Sequence, residues 1–157
     1  MRKTIIFTCL TALAAISAAA QTTAETKHLR VTASASAGHV KPGQRISLTL
    51  DIELKQDMHV YAPSVEGYIP ISWTMAPSDA IIASKVVTPP SKMMRLPAID
   101  ETLPVYGGRF KLVRDITIAG NAKGEVTAAG TLRYQACDDR MCYLPKTVPL
   151  TWTLRVQ

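Results

Sequence analysis

Apolar and polar residues alternate along much of the chain. Ile46, Leu48, Leu50, Ile52 and Leu54 are interleaved with Ser47, Thr49, Asp51 and Glu53, and Val148, Leu150, Trp152, Leu154 and Val156 with Pro149, Thr151, Thr153 and Arg155. A period of two sends one side of an extended chain into a core and the other into water, so both stretches are predicted strands. Strand-like runs also cover 28–34, 71–75, 81–87, 110–118 and 126–137, and no stretch carries a convincing helical period. Turn-forming clusters separate them: Lys41-Pro42-Gly43, Ala76-Pro77-Ser78-Asp79, Tyr106-Gly107-Gly108 and Gly120-Asn121-Ala122-Lys123-Gly124. About seven or eight strands without a helix predict an all-β domain, an antiparallel two-sheet sandwich of immunoglobulin-like type.

Two stretches break the alternation, 61–70 and 88–108, and they carry Pro63, Pro70, Pro89, Pro90, Pro97 and Pro104. Proline cannot donate to a strand ladder, so both are expected to be loops or edge segments. The second is long for a connection within a compact sandwich. It is either functional or a crossover between the sheets.

The N-terminus has a different character. Arg2 and Lys3 precede an apolar run from Ile5 to Ile16 that fades into Ser17-Ala18-Ala19-Ala20, the pattern of a secretory signal peptide cleaved after the alanines. The expected organisation is a signal peptide over 1–20 and a single domain over 21–157, enough chain for one core and too little for two. Export implies an oxidising compartment, the periplasm in a bacterial host. Loss of Arg2 and Lys3 reduces the net charge from +6 to +4, and the remaining bases are scattered rather than clustered, so no nucleic-acid partner is expected.

Cys9 would leave with the signal peptide, so the mature chain keeps Cys137 and Cys142, with four residues between them. The segment Tyr134-Gln135-Ala136-Cys137-Asp138-Asp139-Arg140-Met141-Cys142-Tyr143-Leu144-Pro145 reads as strand, tight turn, strand, and a disulfide is expected across the turn. Closing so short a loop removes little entropy from the unfolded chain, worth about 2 kcal/mol. The spacing therefore favours a bridge that opens and closes, although a structural hairpin disulfide stays open as an alternative. Asp138, Asp139 and Arg140 should hold at least one sulfur near solvent, with Arg140 favouring a thiolate and the acids opposing it. Tyr61, Tyr106, Tyr134 and Tyr143 are candidates to shield the sulfurs.

Other chemistries are poorly supplied. His28, His39 and His59 form no triad or metal motif, and no glycine pattern suggests a phosphate cradle. His28 and His39 are expected at the surface. No cofactor or metal is expected. The rival readings are a non-catalytic immunoglobulin-like interaction module with a structural hairpin disulfide, and a secreted Cu(I) chaperone, the latter because Met58-His59, Met93-Met94 and Met141-Cys142 offer soft ligands.

The cysteine segment, with Tyr134-Gln135-Ala136-Cys137 and Cys142-Tyr143-Leu144-Pro145, resembles the N-terminal periplasmic domain of the thiol:disulfide interchange protein DsbD. The likeness extends to Asp57-Met58-His59-Val60-Tyr61 and to Val105-Tyr106 leading into 110–118. The resemblance implies an immunoglobulin-like domain that takes electrons from a thioredoxin-like partner and passes them to oxidised periplasmic proteins. It implies that Cys142 forms mixed disulfides and Cys137 resolves them, with Gln135, Arg140 and Tyr143 as neighbours. His59 and Tyr61 match a pair of aromatic positions near that site, and the histidine is a departure.

The cysteine loop is one residue shorter than in the best-known member. Where the family caps its disulfide with a phenylalanine, 96–104 has no aromatic residue, which leaves either a less complete cap by Ile99 or Leu103 or no cap at all. Full-length members add a multi-span membrane segment and a thioredoxin-like domain, and neither lies within these 157 residues. The expected reductant is therefore a thioredoxin-like protein or a membrane thiol transporter supplied in trans, with contact to the membrane only through partners.

Overall fold

The alternation at 45–54 and 146–156 becomes two of the longest strands of the fold, each burying every second side chain. The computed structural model describes residues 21–157 apart from Ala98, so the expected signal peptide and Cys9 lie outside the described residues. Among the described residues there are strands and turns and no helix. In chain order the strands are β1 (Thr22–Glu25), β2 (Leu29–Ala35), β3 (His39–Val40), β4 (Arg45–Leu54), β5 (His59–Tyr61), β6 (Ser72–Met75) and β7 (Ile81–Ala83). They continue with β8 (Lys92–Leu96), β9 (Glu101–Gly107), β10 (Arg109–Ile118), β11 (Gly124–Tyr134), β12 (Ala136–Cys137) and β13 (Lys146–Val156).

Two sheets form the sandwich, ordered β1-β2-β4-β10-β7 and β3-β13-β11-β6. The first is antiparallel throughout, and the second is antiparallel except where β3 pairs in parallel with the end of β13. Between them lies the main core, with Leu48, Leu50 and Ile52 from β4, Leu112 and Ile116 from β10, Leu132 from β11 and Leu150, Trp152 and Leu154 from β13. Trp73 stacks on Trp152 with ring centroids 5.5 Å apart. Each large apolar side chain withdrawn from water contributes about 1.5–3 kcal/mol, so this layer dominates stability. Pro149 sits within β13 opposite Thr131 of β11, where β13 has no partner on its other side and the missing donor costs nothing.

A third, smaller sheet has the order β12-β5-β9-β8. It grows out of the sandwich: β11 continues into β12 through Gln135, β9 into β10 through Gly108, and β4 reaches β5 through a turn at 55–58. Of the loop-or-edge expectation for 88–108, the edge part holds for β8, but most of the stretch forms the β8–β9 hairpin and β9 is paired on both sides. Pro104 is tolerated because its carbonyl is what the chain uses, accepting from the Ala62 amide at 3.0 Å. Tyr61 likewise belongs to β5 rather than to a loop. The expected run at 81–87 shortens to β7, with Val87 forming an isolated bridge to Val113.

Candidate functional site

Cys137 and Cys142 form a disulfide at the free edge of the small sheet, with Cα atoms 4.0 Å apart. Cys137 sits in β12 and is 1% exposed, whereas Cys142 lies beyond the turn and is exposed. The turn is closed by its own first residue. The Asp138 Oδ1 accepts the amides of Arg140 (2.8 Å) and Met141 (2.9 Å), the Asp138 amide donates to Met141 O at 3.0 Å, and the Tyr143 amide donates to Ala136 O at 2.9 Å. An aspartate bonding backbone amides two and three residues on is a local alternative to a ladder, which is why this hairpin turns so sharply. These two amides and the Tyr143 hydroxyl hold the Asp138 carboxyl below the usual carboxylate range.

Side chains on both sides brace this arrangement. Gln135 Nε2 donates to Tyr143 O at 2.9 Å, and the Tyr143 hydroxyl donates to Asp138 Oδ2 at 2.8 Å. Against the Tyr143 ring lies His28, with centroids 4.4 Å apart, and Lys27 Nζ stands 5.2 Å from the ring centre. His28 is 4% exposed with neither ring nitrogen hydrogen-bonded, which corrects its expected surface position; His39 is exposed as expected. Burial holds the His28 imidazole below its ordinary pKa.

The buried side of the disulfide joins a satellite apolar cluster of Tyr61, Val65, Leu96, Val105 and Cys137, with Tyr68, Ile99 and Leu103 packed against it. The Tyr61 hydroxyl lies 3.5 Å from Cys142 Sγ, and Tyr68 packs on the Tyr61 ring at 4.8 Å while donating to Glu101 Oε1 at 3.0 Å. Burial pushes the Tyr61 hydroxyl pKa up. Ile99 and Leu103 come from the tip of the β8–β9 hairpin, where Asp100 turns the chain in the left-handed region (φ 59°) and pairs with Arg95. An aliphatic hairpin tip thus packs against the cluster that contains Cys137, in the region where the sequence offers no aromatic cap.

Of the residues singled out by sequence, Cys137, Cys142, Tyr61, Ile99, Leu103, Gln135 and Tyr143 are brought together. His59 is brought in as well: it is buried in β5 directly opposite Cys137. Arg140 is exposed on the turn and contributes its amide. Tyr106 is not at the sulfurs: alternation along β9 turns it into the main core, where it stacks on Phe110 at 4.7 Å and donates to Pro89 O at 2.9 Å. Tyr134 is likewise core, bonded to Thr26 at 2.8 Å. Sequence reasoning missed Tyr68, Val65 and Leu96. A lone tyrosine in a proline-bounded loop was the available signal for the first. Met93 and Met94 lie on β8, at the opposite edge of the small sheet from β12, three strand spacings or roughly 14 Å away. Of the soft ligands in the copper reading, Met93 and Met94 are therefore remote from the cysteines, whereas His59 and Met141 lie beside them.

Chemically, the two halves of this disulfide differ in how far they are buried. An incoming thiolate must approach along the S–S axis, opposite the leaving sulfur. Cys142 is the exposed residue of the pair, and Cys137 is packed in the satellite cluster.

A family model described as "Thiol:disulfide interchange protein DsbD, N-terminal" matches residues 25–151. No curated protein matches the chain in sequence. Among solved structures, the N-terminal periplasmic domain of ScsB from Proteus mirabilis superposes with a TM-score of 0.51 at 18% identity, over 81% of this chain and 47% of that one. The chain thus spans about half the length of that structure, and at this identity the likeness is one of fold. The reduced DsbD N-terminal domain of Neisseria meningitidis (TM-score 0.47, 14% identity, 74% of this chain and 80% of that one) is also similar. So is the GAE domain of GGA2p from Saccharomyces cerevisiae (0.47, 12%, 84% and 96%).

Proposed function

The chain belongs to the family of DsbD N-terminal domains, and from that premise we propose that it is a periplasmic thiol-disulfide exchange protein. It passes reducing equivalents through Cys137 and Cys142 between thioredoxin-like proteins and oxidised proteins. Its electrons come from a thioredoxin-like periplasmic protein or a membrane thiol transporter acting in trans. Residues 1–20 serve as the export signal and 21–157 as the working domain. The observation that carries this reading is the asymmetry of the disulfide: Cys142 exposed on a short turn, Cys137 1% exposed beneath a packed cluster. A structural staple gains nothing from one open sulfur, whereas exchange needs one sulfur to meet partners and a protected one to complete the reaction.

The test is a trapping experiment combined with a potential. The Cys137→Ala variant should accumulate a mixed disulfide with a thioredoxin-like protein that lacks its own resolving cysteine, and Cys142→Ala should not. The wild-type couple should equilibrate with thioredoxin-like proteins, at a potential above about −300 mV. A potential far below that value, with no reduction by any thioredoxin-like protein, would return the disulfide to a structural role.

A further inference from the structure

Exchange leaves a proton to be accounted for at the buried sulfur. When Cys137 attacks it must lose its proton, and when it departs as a leaving group it must regain one. At 1% exposure, bulk water has little access to it. An apolar setting also makes a buried thiol hold its proton more tightly.

The strand register supplies a carrier. His59 of β5 and Cys137 of β12 are directly paired residues of an antiparallel ladder, as are Val60 and Ala136. Opposite residues project to the same side, with Cβ atoms about 4.5–5.5 Å apart. Alternation confirms which side: Val60 and Ala136 enter the main core, whereas Tyr61 and Cys137 enter the satellite cluster. On the other flank of β5 the partner of His59 is Gly107, which presents no side chain. The imidazole therefore has the Cys137 side chain as its cross-strand neighbour, and it stands edge-on to Tyr61 at 6.2 Å.

Other titratable groups nearby are less suited. The Tyr61 hydroxyl addresses Cys142 rather than Cys137, and burial makes it a weaker acid still. Asp138 is occupied by two amides and the Tyr143 hydroxyl. His28 lies behind Tyr143. Burial holds the His59 ring below its ordinary pKa, hence neutral and able to accept a proton near pH 7. The charges that act on it are the carboxylates of Asp139 and Asp138, which favour the imidazolium once it forms.

We propose that His59 is the proton-transfer partner of Cys137. In the mixed disulfide, the imidazole takes the Cys137 thiol proton as that sulfur attacks Cys142 Sγ. The Cys137–Cys142 bond forms, the bond from Cys142 to the partner sulfur breaks, and the electron pair leaves on the partner as a thiolate. The domain ends oxidised and the partner reduced. In reverse, a partner thiolate attacks Cys142, and the imidazolium returns its proton to the departing Cys137 sulfur. This deepens the exchange reading above and rests on it.

Oxidised glutathione is the probe that separates the two. The reduced protein is mixed with it, and decay of the Cys142–glutathione mixed disulfide is followed from pH 5 to 10 in wild type, His59→Gln and His59→Phe. The wild-type rate should level off by about pH 7, as the imidazole loses its proton. Both variants should be about 10²-fold slower at pH 7 and should climb with pH towards wild type as Cys137 ionises unaided. Equal rates with the same pH profile in all three proteins would overturn the proposal.

Should the variants fold poorly, the His59 imidazole titration followed by NMR in wild type decides instead. A midpoint that differs between oxidised and reduced protein is expected, and identical midpoints overturn the coupling. Parallel runs with a thioredoxin-like protein test the exchange reading independently. Failure there alongside a histidine-dependent glutathione profile removes the function and leaves the proton transfer in place.

Discussion

The sandwich and the small sheet are built from the same alternating chain and put it to opposite uses. In the sandwich, β4 pairs with β10 over nine residues and β11 with β13 over eleven, and the paired faces close on one continuous core. In the small sheet β12 has two residues and β5 has three, and the satellite cluster they help to bury is far smaller. Long registers add cooperative burial, so opening any part of the sandwich exposes much of it. Short strands at an edge can open locally at little cost. Stability is therefore concentrated in the sandwich, and the exchange chemistry proposed above falls to the small sheet, where movement is least expensive.

The comparison breaks first if the sandwich is hollowed. Trp152→Ala, which removes the indole stacked on Trp73, should cost about 3–5 kcal/mol in denaturant unfolding. In molecules that remain folded, the rate of disulfide reduction by dithiothreitol should be unchanged. Next comes the disulfide itself: Cys142→Ser, or reduction of wild type, should lower unfolding stability by about 2 kcal/mol, the value of closing a short loop. A loss equal to that of Trp152→Ala would mean the bridge is a staple and the division of labour is wrong.

Smaller still is the hairpin tip. Leu103→Ala removes part of the cover over Cys137 and should cost about 1 kcal/mol. The same variant should speed reduction by dithiothreitol several-fold, a combination that no main-core substitution should give.

The least effect is the one that pH reads at the junction of the two regions. Burial keeps the folded His28 below its ordinary pKa, so the unfolded chain takes up its proton first. Its contribution is then complete above about pH 6.5 and is lost as pH falls below that value towards the depressed folded one. His28→Leu should flatten the pH dependence of unfolding between about pH 7 and 5 relative to wild type. An unchanged slope would place the histidine outside the buried contact with Tyr143.

Much of the sandwich was legible because each of its strands carries its own evidence. Leu48, Leu50 and Ile52, or Leu150, Trp152 and Leu154, announce a buried face without reference to any other part of the chain. The cysteine turn was legible for the same reason: Asp138 bonds amides two and three residues away, and a loop that short closes on itself. The β8–β9 hairpin was not. Its strands hold Pro104 and an exposed Lys92-Met93-Met94-Arg95 run, and their pairing is stabilised by β5 and the satellite cluster rather than by any periodicity of their own. His28 is a similar case. It lies in the bend just before β2, where alternation from Leu29 would send it outward, and Tyr143, 115 positions later, packs on it.

The sequence by itself determined the long strands of the sandwich, the short cysteine loop and the family to which the cysteine segment belongs, because these depend on neighbours within about a dozen residues. Only the tertiary structure decided which cysteine is exposed, that Tyr61 and Tyr68 join Ile99 and Leu103 in the cluster that holds the other, and that His59 is paired with Cys137. Those outcomes depend on register between strands 78 positions apart. Register is fixed by the whole set of faces that must be buried together, so no local pattern contains it.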